Sequence, residues 1–121
     1  CKQAIESLKP RGCHPTLIDA RFAKPLDTIL LDQILDSHEF VFTIEEGSIG
    51  GFSSTILDYI HNIRKKLTLS KVQNMIFPDI FVDHDTPDNQ YRKIGMDAES
   101  IEKKIFSIFL KKEVYIHKIY K

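Results

Sequence analysis

Apolar residues recur along this chain with two periods, and the changes between them mark out a set of alternating elements. Ala4, Ile5 and Leu8 follow a helical spacing from Cys1 onward, and Gly12 stands where a helix C-terminal glycine belongs. The segment Thr16 to Ala20 reads as a short strand, and a loop then carries the chain from Arg21 to Pro25. Asp27 is placed to N-cap a second helix whose buried face is predicted to be Ile29, Leu30, Ile34 and Leu35. Phe40 to Ile44 is an unbroken apolar run, the pattern of a central strand covered on both faces.

After Glu45 and Glu46 the chain passes through Gly47-Ser-Ile-Gly50-Gly51. Phe52, Ile56, Tyr59, Ile60 and Ile63 then resume a period of about 3.6 residues, as far as Lys66. Val72 to Phe77 is predicted as a further strand, followed by an irregular stretch from Pro78 to Asp85. Thr86-Pro87 supplies an N-cap and a first-turn proline for a short helix that Gly95 stops. Asp97 is positioned to cap a last helix with an inward stripe of Ile101, Ile105, Ile108 and Phe109. The tail 113–121 fits helix, edge strand or disordered terminus. Helix and strand alternate, so the expected fold class is α/β, a three-layer α/β/α domain with a mainly parallel sheet.

Composition narrows what such a domain does. A chain of 121 residues with 42% hydrophobic side chains is expected to build one core. Its 17 basic and 17 acidic side chains cancel, which removes the bulk attraction that a nucleic-acid or anionic-membrane partner would need. Cys1 and Cys13 match neither a redox pair nor a zinc pattern and read as free thiols. No apolar run approaches the ~20 residues that cross a bilayer. Localisation is expected to be cytoplasmic, or in a plastid-type organelle in a eukaryote. Helical periodicity begins at once at Cys1, so the natural protein is expected to continue upstream, with a first strand lost there.

Candidate chemistry concentrates at Glu45, Glu46, Gly47, Gly50, Gly51 and Phe52, because open α/β sheets bind ligands at the carboxyl ends of their strands. The pattern is neither Gly-x-Gly-x-x-Gly nor a P-loop, and two carboxylates would repel a phosphate. It reads more simply as a turn in which one glutamate bonds backbone or cross-domain donors. His84, between Asp83 and Asp85, could supply metal ligands but reads more simply as a hydrogen-bonded loop histidine. Arg64-Lys65-Lys66 and Lys111-Lys112 read as solvated charge at helix ends. No catalytic, cofactor-binding or metal-binding residue is assigned.

The string Asp19-Ala-Arg-Phe-Ala-Lys-Pro-Leu-Asp27, with Thr43-Ile-Glu-Glu-Gly47 and Ile49-Gly-Gly-Phe52, resembles the C-terminal (third) domain of the 1-deoxy-D-xylulose-5-phosphate synthases, within the transketolase C-terminal domain family. Pro78-Asp79, Phe81-Val82, His84 and Gly95-Met-Asp-Ala98 continue the likeness in order, over about residues 14 to 112. Asp85 stands where glycine is usual, and Ser53 where it is common. By this resemblance residues 1–112 form the domain, truncated at its N-terminus, and residues 113–121 a C-terminal extension.

The resemblance implies a homodimeric, cytoplasmic transferase of isoprenoid and thiamine biosynthesis that condenses pyruvate with glyceraldehyde 3-phosphate and releases carbon dioxide. Thiamine diphosphate and magnesium serve the parent enzyme and are held by its other domains, with no cofactor bound in this segment. The segment alone is then expected to be inactive, its partners being the missing N-terminal domains of the same chain and a second copy. A 2-oxoacid dehydrogenase β subunit shares the Glu-Glu-Gly strand end and Pro-Leu-Asp helix start and is the nearest alternative. A free-standing module that binds a small ligand at the Gly50-Gly51 crevice is another.

Overall fold

A computed structural model describes residues 1–64 and 71–119, with side chains of the last helix described as far as Lys111. Two compact units divide the chain, one formed by Cys1–Ile18 with Val82–Lys121 and the other by Asp19–Phe81.

The unit Asp19–Phe81 contains α2 (Thr28–Ser37), β1 (Val41–Ile44), α3 (Phe52–Asp58) with a π-helical continuation Tyr59–Arg64, and β2 (Val72–Met75). β1 and β2 pair in parallel, Val41 opposite Val72 and Ile44 opposite Met75. Two parallel strands cannot be joined by a tight turn, and here α3 lies in the crossover between them. Asp27 does N-cap α2, its Oδ1 accepting from the Leu30 N–H at 2.9 Å. The core is a cluster of Leu31, Leu35, Ile56, Ile60 and Val72, with Leu26, Val41, Phe52, Leu57 and Tyr59 packed around it.

Four expectations need correction, three within this unit and one where the chain enters it. The buried stripe of α2 is Leu31 and Leu35, while Ile29 is 74% exposed. Periodicity proposed the helix, and the position of the α3 and β2 side chains chose its phase. Thr16 to Ala20 is not a strand: Leu17 and Ile18 are exposed, and the residues pair with neither β1 nor β2. An apolar run becomes a strand only where a ladder partner takes its N–H and C=O groups. β1 is less deeply buried than expected, since Thr43 is its one buried residue while Val41, Phe42 and Ile44 are half-buried. The helix after the glycine loop does not keep one period, because α3 gives way to a π-helix at Tyr59. Lys65 and Lys66 lie outside the described residues.

The other unit contains α1 (Lys2–Leu8) with a 3-10 turn Lys9–Arg11, α4 (Pro87–Ile94) and α5 (Ala98–Ile119). Gly12 and Gly95 end the 3-10 turn and α4 at φ of 76° and 74°, the left-handed conformation that glycine adopts without steric cost. The Thr86 hydroxyl accepts from the Asn89 N–H to cap α4. α1 packs on α5, and Ala4, Leu8, Cys13 and Ile101 are this unit's buried residues among those described. Ile105, Ile108 and Phe109 of the expected stripe are half-buried. Arg11 ties the two helices on the outside, its guanidinium 3.4 Å from the centre of the Phe106 ring and 2.5 Å from Glu102 Oε1. The backbone of the tail is helical through Ile119, without a break at the expected domain boundary.

Candidate functional site

Glu45 follows β1 directly and its N–H extends the ladder to the Met75 carbonyl at 3.1 Å. Side chains alternate along a strand, so Glu45 shares a face with the buried Thr43. Its carboxylate receives the first two N–H groups of α3: Phe52 N–H donates to Oε2 and Ser53 N–H to Oε1, each at 2.8 Å. α3 has Gly51 at its N-cap position, which has no side chain to cap with, and a glutamate from the preceding strand does that work instead.

The glycines make this reach possible. A Cβ on Gly51 would fall inside van der Waals contact with Glu45 Oε2, and one on Gly47 would come within 2.9 Å of the same oxygen. Gly50 has φ of 101°, a turn conformation that few other residues adopt, and its N–H donates to Ser54 Oγ at 3.0 Å. The Gly47 carbonyl accepts from Phe77 N–H at 2.9 Å, so the loops after β1 and β2 are joined at their bases. Burial pushes the Glu45 carboxyl up, but the hydrogen bonds from Ser53 and Phe52 outweigh it and hold the group below the usual glutamate value. Glu45 is therefore a fixed anion. A general acid or base needs a pKa near the working pH, and this environment moves Glu45 away from it.

Glu46 is exposed, as are Gly50 and His84, while Gly47, Gly51 and Phe52 are half-buried. The structure thus brings Glu45, Gly47, Gly51 and Phe52 into one motif. His84 belongs to the other unit, at a bend ahead of α4. Its neighbour Asp85 is committed locally: Oδ1 accepts from Thr86 N–H and from Asn89 Nδ2, both at 2.8 Å, and Lys93 lies 3.2 Å from Oδ2. The Asn89 and Thr86 hydrogen bonds and Lys93 keep the Asp85 carboxyl below its usual value. Asp85 organises the start of α4 and stands outside the left-handed region, where Arg21 is the non-glycine residue found among those described. That residue, at φ 55°, is held by its N–H donating to Asp19 Oδ1 at 3.0 Å within the Asp19 to Asp27 string.

Among the described residues no group of three or more His, Cys, Asp or Glu side chains is placed to hold a metal ion. A family model described as the transketolase C-terminal domain matches residues 1–101. The chain belongs to that family. Membership carries the fold class, a three-layer α/β/α architecture with a mostly parallel sheet, of which β1 and β2 are the described pair. Transketolase C-terminal domains are shared by several thiamine-diphosphate-dependent enzymes, in which they generally form the C-terminal part of a larger and often dimeric protein. At the glycine loop the described residues do not fit that cofactor's diphosphate. A diphosphate cradle needs free N–H groups, and the two at the head of α3 are already taken by a carboxylate.

Sequence reasoning overlooked two participants. Ser53, 1% exposed, supplies one of the two N–H groups that fix Glu45. Arg64, expected as solvated charge at a helix end, has its side chain buried against Asp32 and Asp36 of α2. Asp32 and Asp36, four residues apart, share one face of α2, but nothing in the order of residues pairs them with Arg64.

Proposed function

We propose that this chain is the C-terminal domain of a 1-deoxy-D-xylulose-5-phosphate synthase, a thiamine-diphosphate- and magnesium-dependent transferase. The parent joins pyruvate to glyceraldehyde 3-phosphate and releases carbon dioxide, and this domain serves in domain packing and homodimer formation. The observation that supports an architectural role is Glu45, whose two oxygens are both spent on capping α3. The Asp19 to Asp27 string favours the synthase over a 2-oxoacid dehydrogenase β subunit. Cofactor and metal belong, on this reading, to the other domains of the parent, which works in the cytoplasm or in a plastid-type organelle.

The test is to express the full reading frame that contains this chain and supply pyruvate, glyceraldehyde 3-phosphate, thiamine diphosphate and magnesium. Formation of 1-deoxy-D-xylulose 5-phosphate from a single polypeptide is expected. Turnover that requires a separate α subunit would assign the chain to a 2-oxoacid dehydrogenase instead. A reading frame that encodes this domain alone would favour the ligand-binding module.

A further inference from the structure

The π-helical stretch Tyr59–Arg64 inverts the burial of its last two residues. Continued from α3 as an α-helix at ~100° per residue, Ile63 would come within about 20° of the buried Ile56 and Arg64 would stand about 80° away. With i→i+5 pairing from Tyr59 onward, at roughly 80° per residue, Arg64 arrives within about 20° of Ile56 and Ile63 is turned about 100° away. The structure has the second arrangement: Ile63 is 67% exposed, whereas the Arg64 side chain is 5% exposed.

The groups that hold it come from α2. Arg64 Nη2 donates to Asp36 Oδ1 at 2.5 Å, and Arg64 Nε lies 3.2 Å from Asp32 Oδ1. The Tyr59 hydroxyl donates to Asp32 Oδ2 at 3.0 Å, so both ends of the π-helical stretch are fastened to one helix. Against this stands the cost of keeping an isoleucine in water and of burying Arg64 Nη1, which has no hydrogen-bond partner among the described residues. The α register would relieve both. π-helical turns are rare for the same reason that they persist only where something outside the helix holds them.

We infer that Tyr59–Arg64 is a two-register element, held in the π register by the carboxylates of Asp32 and Asp36 and able to rotate into the α register when that charge is removed. The exchange replaces a protruding Ile63 on the surface by Arg64 while the helix stays intact. It is a change of surface chemistry driven by a salt-bridge latch, and it does not depend on the identity of the parent enzyme.

A cysteine at position 63 reads the register directly. In the full chain carrying Ile63→Cys, maleimide labelling at that position, located by peptide mass analysis, is expected to slow at least about tenfold when Asp32→Asn and Asp36→Asn are added together. Hydrogen exchange over residues 59–64 is expected to stay protected. Arg64→Gln carries the same expectation should the double variant not fold. Labelling that is unchanged, or that accelerates as amide protection is lost, would overturn the inference, because the first shows a fixed register and the second shows melting in place of rotation.

Discussion

Replacing Gly51 by alanine is a small change with a specific victim. Gly51 has φ of −81°, so the effect of alanine there is decided by what its Cβ would meet. The heavy atoms nearest the new Cβ all belong to Glu45, the closest being the Oε2 that accepts from Phe52 N–H. The carboxylate must leave, and α3 then loses two charge-assisted hydrogen bonds at its first turn. Bonds of that kind contribute about 1.5–3 kcal/mol net each, so the loss of both is expected to make Gly51→Ala destabilising by about 3 kcal/mol or more.

Glu45→Ala removes the same cap and is expected to cost a similar amount. In that background alanine at 51 has no carboxylate to displace and should cost much less than it does in the wild type. Urea melts of the wild type, the two single variants and the double variant close the cycle. A coupling energy of about 3 kcal/mol or more is expected, where independent sites add to within about 0.5 kcal/mol. Additive losses would refute the reading, since Gly51 would then be needed for a reason unrelated to Glu45.

The same contact gives the fold an acid limit. The folded Glu45 value lies below the unfolded one, so its contribution is complete above the ordinary glutamate range and disappears as pH falls through the depressed folded value. Glu45→Gln should lose stability at neutral pH and lose less on acidification than the wild type; parallel stability–pH curves from urea melts would contradict this. The phase of α2 is open to a simpler check. Leu35→Ala, at a fully buried core position, should cost about 2–5 kcal/mol, and Ile29→Ala, in solvent, no more than about 0.5 kcal/mol. Comparable losses at the two sites would place the buried stripe where periodicity alone put it.

Features whose cause is local were legible in the order of residues. Asp27 and Thr86 cap helices because their side chains reach N–H groups three residues on, and Gly12 and Gly95 terminate elements because their own φ is positive. The parallel pairing of β1 with β2 followed from a helix between two strands, and the family from short strings that keep their order. What depends on the other side of a contact was not legible.

Apolar spacing offers Ile29 and Ile63 to the core as readily as Leu35 and Ile60 and leaves Leu31 out, and only the packed cluster around Leu35 and Ile56 decides among them. Thr16 to Ala20 has strand-like residues and no ladder. Arg64 is inside because Asp32 and Asp36, almost thirty residues earlier, face it from α2. That Glu45, and not Glu46, is the fixed anion depends on the strand's alternation and on the two N–H groups that α3 turns toward it. Residue type and spacing set which elements form. Which face of each is buried, and which charge is held, is a property of two elements at once, and a single chain read in order contains only one of them at a time.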